Sequence, residues 1–169
     1  MFFPKINWQK KGLVIEPDKK IAWMMTHAML PTPHHIEGSL YRIYFAGRND
    51  KNQSQIGYAL IDLDQPGKVI EYKKDAVLTP GRLGAFDDNG VLSSCILAVD
   101  SQLLMYIIGF KPGGTTRMDL FGGLAISEDK GDTFTRWSEA PIIDRSRVNP
   151  FINTAPWVIK EDAGYRMYY

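Results

Sequence analysis

Cysteine is nearly absent from this sequence, since Cys95 is its only one. A single cysteine excludes an internal disulfide and a metal site built from several thiolates. Such usage is typical of a reducing compartment, and we expect a cytoplasmic protein. His27 stands far from the adjacent pair His34 and His35, which is not a zinc-ligand spacing. The sequence therefore predicts neither a metal site nor a cofactor.

Long apolar runs and an excess of either charge are also missing. The longest apolar run, residues 103–110, is far shorter than the roughly 20 residues that span a bilayer. The first residues, MFFPKINWQKKG, have no charged stretch followed by an apolar core, so no secretory signal is expected. Twenty basic and nineteen acidic residues give a net charge of +1. We expect no nucleic-acid or membrane partner, and a neutral or weakly charged ligand fits better.

Amphipathic helix patterns are scarce as well. The 15 glycines and 10 prolines are spread so evenly that few windows escape a helix breaker. Aromatic and β-branched residues instead cluster in short runs, which is typical of strands. The sequence predicts an all-β fold.

Three aromatic runs resemble one another, and their central tyrosines Tyr44, Tyr106 and Tyr168 are each 62 residues apart. The runs are YRIYFAGR at 41–48, LLMYIIGF at 103–110 and YRMYY at 165–169. Segments on either side of these runs also resemble one another when the sequence is shifted by 62 residues. The period divides the chain into units of about four strands at approximately 22–82, 83–146 and 147–169, the last incomplete.

Four antiparallel strands that recur along a chain are typical of β-propeller blades. A β-sandwich with chance similarity is the alternative. At 62 residues a unit, 169 residues hold about 2.7 blades, whereas propellers close with four to eight. We expect a partial five-bladed propeller, completed either by the remainder of a longer protein or by a second copy in a homodimer.

The segments HAMLPTP, YRIYFAGRND, LTPGRLGAFDDNGV, GLAISEDKGDTFTR and NPFINTAPWV resemble the five-bladed β-propeller glycosidases. That superfamily includes arabinanases, xylosidases, invertases and levansucrases, and the likeness is greatest near glycoside hydrolase families 43 and 32. It covers the whole chain but only the amino-terminal portion of such a protein. GAFDDNGV is its most specific piece.

The resemblance implies that carboxylates at the starts of different blades line a central pocket. Matched by position, the blade starts offer His27, then Asp87 and Asp88, then Asn149 or Asn153. His27 departs from the family pattern, which has an aspartate there, and the third start has no carboxylate. A general acid would therefore have to lie after Tyr169 or be absent.

Asp87 and Asp88 are the candidate catalytic residues, and His27, Arg48, Asn153 and Trp23 are the candidate substrate-binding residues. Neighbouring side chains on a strand point to opposite faces, so the two aspartates are not expected to form the pair that flanks a glycosidic bond. Each candidate also has a structural interpretation. Asp87 and Asp88 would form a turn before Gly90, Arg48 a solvated strand end, and His27 and Trp23 parts of the core.

Two functions follow from these observations. The first is a glycosidase that acts on a glycan, probable for the full-length parent, with this chain alone inactive. The second is a propeller that binds a carbohydrate or a protein without catalysis.

Overall fold

The computed structural model describes residues 6–65 and 67–169, and β-strands are its only regular elements there. The strands are β1 (Thr26–Glu37), β2 (Leu40–Arg48), β3 (Ser54–Asp62), β4 (Val69–Tyr72), β5 (Gly90–Val99), β6 (Gln102–Pro112), β7 (Met118–Ser127), β8 (Thr135–Arg136), β9 (Trp157–Glu161) and β10 (Gly164–Tyr168). The predicted all-β class is confirmed. The described residues contain no helix that is long and apolar enough to cross a membrane.

The strands form two four-stranded antiparallel units and a hairpin. β1 to β4 pair in chain order in the first unit, and β5 to β8 do so in the second. β9 and β10 form the hairpin. One parallel bridge, between Ser54 and Gly90, joins the two units, and the sheets of the described residues do not close on themselves.

The two four-stranded units continue in the same way after their third strands. The Lys73 amide donates to the Tyr58 carbonyl at 2.9 Å, and the Trp137 amide donates to the Leu124 carbonyl at the same distance. Tyr58 pairs with Tyr44 on the second strand of its unit, and Leu124 pairs with Tyr106. Lys73 and Trp137 therefore hold equivalent positions in the two units.

The main core lies between the first and second units. Its buried residues come from strands of both units and from the segments that connect them: Tyr44, Ile56, Tyr58, Val77, Leu78, Phe86, Val91, Leu103, Met105, Ile107, Ala125 and Phe134. A second cluster lies on the other face of the first unit: Trp23, Met24, Phe45, Ala59 and Ile61. Burial of such side chains, worth about 1.5–3 kcal/mol each, is the main force that holds the units together.

The turn between β7 and β8 docks on the first unit. The Tyr44 hydroxyl donates to the Gly131 carbonyl at 2.6 Å. Lys73 Nζ lies 2.7 Å from Asp132 Oδ2, and the Tyr58 hydroxyl donates to Asp132 Oδ1 at 3.1 Å. The turn thus contacts the aromatic residues of the main core through hydrogen bonds and one ion pair.

Asp129 organises that turn from within. It accepts hydrogen bonds from the Ser127 hydroxyl at 2.7 Å, from the Asp132 and Thr133 amides at 2.9 Å each, and from the Thr133 hydroxyl at 2.6 Å. Burial opposes ionisation of Asp129, but these hydrogen bonds outweigh it and lower its pKa to about 2. The sequence SEDKGDTF therefore forms a turn held by one ionised carboxylate.

Asp129→Ala is expected to lower the free energy of unfolding by about 1 kcal/mol, the typical cost of losing a side-chain cap in an exposed position. The folded pKa lies below the unfolded value, so the carboxylate stabilises the fold above about pH 4 and ceases to do so as the pH falls towards 2. Urea unfolding at pH 7 and pH 3 measures both effects. The exposed Asp162→Ala is the control, and an equal loss of stability for the two variants would contradict the assignment.

Candidate active site

One edge of the sheet brings together the starts of β1, β3 and β5. Arg48, at the end of β2, pairs with Thr26 on one side and with Ser54 on the other. Ser54 is fully buried, forms the parallel bridge to Gly90, and donates from its hydroxyl to the Val91 carbonyl at 3.0 Å. This edge, which we call the strand-start edge, is where side chains of the first and second units meet.

The loop of residues 81–89, here the β5 loop, leads into this edge and carries both candidate carboxylates. Asp87 is fully buried, and its Oδ2 accepts from Arg136 Nε at 2.7 Å and lies 2.6 Å from Arg136 Nη2. Arg136 also donates to the Thr79 carbonyl. The pair thus fastens the β5 loop to β8 and to the segment that leaves the first unit.

The second oxygen of Asp87 is enclosed. Oδ1 has no hydrogen-bond partner among the described residues, and a Cβ added at Gly81 would lie 2.3 Å from it. Burial raises the pKa of Asp87, and Arg136 opposes that rise. Only a glycine at position 81 permits this close approach. The backbone at Gly81 thus encloses one side of the Asp87 carboxylate.

Asp88 is turned to a different set of partners. Its Oδ2 accepts from the Gly84 amide at 2.9 Å and lies 3.7 Å from Lys111 Nζ, and its side chain is 10% exposed. The two neighbouring carboxylates therefore bind separate groups. Asp88 is the one that keeps some exposure, and it stands two residues before β5 begins at the strand-start edge.

Arg48 lies at the same edge with part of its hydrogen-bonding capacity unused. It donates from Nη1 to Asn52 Oδ1 at 2.9 Å, while its Nε is buried with no partner among the described residues. Its cross-strand neighbour Ser54 contacts the start of β5, so the guanidinium lies on the face that looks towards the second unit.

His27 occupies the first strand start in an unusual backbone conformation. Its φ of +68° is uncommon for a residue with a side chain, and such strain is often found at functional sites. The side chain is exposed, with Nδ1 3.0 Å from the Thr26 hydroxyl. It lines an open cavity of about 630 Å³ with Glu16, Lys19 and Met25. Thr26, which precedes His27, pairs with Arg48, so His27 and Arg48 lie near the same end of the β1–β2 pair.

Asn153 and Trp23 make their contacts elsewhere than at the strand-start edge. Asn153 is buried and donates to the Asp144 carbonyl at 2.7 Å, within the segment between β8 and β9. Trp23 is 1% exposed, stacks at 4.9 Å on Phe45 and donates to the Lys73 carbonyl at 2.9 Å. The ring of Trp23 is enclosed in the core of the first unit, which agrees with its structural interpretation, and its contact with a ligand stays a prediction.

Two residues that hold the carboxylates were not identified from the sequence. Arg136 lies 49 positions from Asp87, and Lys111 lies 23 positions from Asp88. Neither has a local motif that marks it as a partner, since only the pairing of β5, β6, β7 and β8 brings them to the β5 loop.

The sequence relatives are mycobacterial. The chain is 38% identical over 162 residues to the uncharacterized protein MT1551 of Mycobacterium tuberculosis strain CDC 1551 / Oshkosh, and equally to the uncharacterized protein Rv1502 of strain H37Rv. Each match covers 96% of this chain and 54% of the relative. The chain thus spans about half the length of the curated relatives it matches. No protein-family model matches it.

Solved glycoside hydrolases share the fold. Zg3597, a family 117 glycoside hydrolase of the marine bacterium Zobellia galactanivorans, superposes with a TM-score of 0.65 at 14% identity, over 92% of this chain and 51% of that one. A glycosyl hydrolase from Bacteroides ovatus gives 0.61 at 14% identity, over 90% of this chain and 46% of that one. The chain therefore has a glycosidase-like all-β fold.

Proposed function

We propose that this chain is part of a β-propeller glycosidase that acts on a glycan at the strand-start edge. The observation that carries the proposal is the position of Asp88, a partly exposed carboxylate beside the edge where two sheet units of a glycosidase-like fold meet. The two four-stranded units and the hairpin would be successive blades, and the remainder of a longer protein would complete the ring.

The two aspartates have different roles in this proposal. Asp88 is the carboxylate that faces the glycan as base or nucleophile, and Lys111 Nζ lies 3.7 Å from its Oδ2. Asp87 is a positioning residue, since it touches Arg136 and holds the β5 loop in place. Glycoside hydrolysis ordinarily needs a second carboxyl group across the bond, and the proposal assigns that group to the rest of the protein.

The first unit would hold the sugar. Arg48 has a free capacity to donate to hydroxyl or carbonyl oxygens, and the exposed His27 stands beside a cavity large enough for a monosaccharide. Asn153 remains a proposed contact from the third unit, one that would require its amide to exchange the carbonyls of Asp144 and Asn149 for a ligand.

A second candidate function is glycan binding without hydrolysis. The observation that favours it is the Asp87–Arg136 ion pair, which removes one of the two candidate carboxylates from chemistry. A protein of this kind would bind at the same edge and release no product.

Asp88→Asn in the protein extended to the length of its relatives is expected to lower kcat by about 10²–10⁴-fold while glycan binding persists, because the amide keeps the shape but loses the charge. A panel of aryl glycosides measures turnover, and a glycan array measures binding. The exposed Asp64→Asn is the matched control. Binding without turnover by the wild type would select the second function, and full turnover by Asp88→Asn would exclude the proposed role of Asp88.

A further inference from the structure

An apolar face on the second unit stays open in this chain. It carries Leu104 and Tyr106 on β6, their cross-strand neighbours Ile126 and Leu124 on β7, and Trp137 after β8. We call it the β6–β8 face. Trp137 is 67% exposed, and beside it lies an open cavity of about 570 Å³ that Ile126 and the charged residues Glu128, Asp129 and Arg136 also line. A large exposed indole beside a cavity marks a surface that something covers.

The equivalent face of the first unit shows what covers it. There the turn between β7 and β8 of the following unit docks on Arg42, Tyr44, Tyr58 and Lys73. The matched pairings and amide hydrogen bonds place Tyr106 at the position of Tyr44 and Trp137 at that of Lys73. The β6–β8 face is therefore a second docking surface of the same geometry.

The two docking surfaces differ in chemistry. Arg42 and Lys73 carry positive charge, and Lys73 pairs with Asp132 of the docked turn. Leu104 and Trp137 stand at those positions on the β6–β8 face, so an aspartate docked there would be desolvated without the two cations that Arg42 and Lys73 supply on the first unit. Tyr106 keeps the hydroxyl with which Tyr44 binds the Gly131 carbonyl.

We propose that the β6–β8 face is covered by the continuation of the third unit: two further strands beyond β10, joined by a turn that presents an apolar residue where the first turn presents Asp132. The third unit has two strands where the others have four, and the M. tuberculosis relatives are about twice as long as this chain. The Tyr106 hydroxyl donates to a backbone carbonyl of that turn. The inference concerns assembly and holds with or without glycosidase activity.

Hydroxyl-radical footprinting read by mass spectrometry tests the docking. In the 169-residue chain Trp137 is expected to oxidise readily, and in the polypeptide continued past Tyr169 to the length of its relatives its oxidation is expected to fall several-fold. Trp8, 89% exposed, and Trp23, 1% exposed, are the internal standards for reactive and protected indoles.

Equal oxidation of Trp137 in both polypeptides would overturn the proposal. So would protection of Trp137 in the 169-residue chain that rises with protein concentration, because a second copy would then be the occupant. A second variant addresses the chemistry of the surface. Trp137→Lys in the longer polypeptide is expected to speed amide hydrogen exchange in β9 and β10 several-fold, whereas Trp8→Lys is expected to leave it unchanged; unchanged exchange in Trp137→Lys would also contradict the proposal.

Discussion

Arg136→Ala is expected to lower the free energy of unfolding by about 3–5 kcal/mol, and the melting temperature by roughly 10 °C. The reason is the position of Asp87, which is fully buried and has Arg136 as its charged partner at 2.6 Å. Without the guanidinium the carboxylate stays in the core with its charge uncompensated. Urea unfolding at pH 7 measures the loss.

The pH dependence identifies the cause. Burial raises the pKa of Asp87 above its unfolded value, so its protonated form favours folding and the fold loses stability as the pH rises through that pKa. Loss of Arg136 raises the pKa further, and the cost of the substitution should therefore shrink between pH 7 and pH 5. Arg82→Ala, which breaks an exposed ion pair with Glu139, is the control and should cost less than about 1 kcal/mol. A loss of stability in Arg136→Ala as small as that in the control, or one independent of pH, would show that the Asp87–Arg136 ion pair does not stabilise the fold.

Gly57→Ala is expected to be the most damaging small substitution in the first unit, with a loss of about 1–3 kcal/mol or more. A Cβ at position 57 would lie 2.2 Å from the indole of Trp23, which is enclosed by Phe45 and tied to the Lys73 carbonyl. The ring has no free space to enter, so strand β3 or Trp23 must shift.

Thermal unfolding combined with tryptophan fluorescence measures this effect, because Trp23 is the buried one of the four tryptophans and its displacement into water would shift the emission to longer wavelength. Gly114→Ala is the matched control, since nothing lies within 4 Å of a Cβ there. Wild-type stability and an unchanged emission spectrum in Gly57→Ala would show that the core of the first unit is looser than the structure describes.

The fold class could be predicted because strand signals are local. Aromatic and β-branched runs such as 41–48 and 103–110 became β2 and β6, and the glycine-rich turns between runs became connections. The turn SEDKGDTF rests on equally local contacts, since the side-chain hydrogen bonds of Asp129 join it only to residues within four positions of itself. The residues that form short-range hydrogen bonds stand close together in the sequence and can be recognised there.

The candidate site was predictable in position but not in chemistry. FDDNGV pointed to the β5 loop, yet which aspartate is enclosed depends on Arg136 and on the backbone at Gly81, and these meet only in the folded protein. Trp23 shows the same limit. Its place near the first strand start suggested a substrate-binding residue. In the structure the absence of a side chain at Gly57 on β3 leaves a space that the ring fills.

The adjacent residues Asp87 and Asp88 bind different partners in the structure. Asp87 turns inward and ties the loop to β8, while Asp88 turns to the Gly84 amide and Lys111. A loop clamped in this way can hold a surface carboxylate in a fixed orientation, which is what a catalytic or binding residue requires. The ion pair is thus compatible with either proposed function.

The most direct test of the proposed site is hydrogen–deuterium exchange with a glycan that the array identifies, on the protein extended to the length of its relatives. Glycan addition is expected to slow exchange at the strand-start edge, in the peptides that contain His27, Arg48 and residues 84–90, and to leave β4 and β8 unchanged. Protection confined to β4, β8 or the β9–β10 hairpin would contradict the proposed site, because the glycan would then bind away from Asp88.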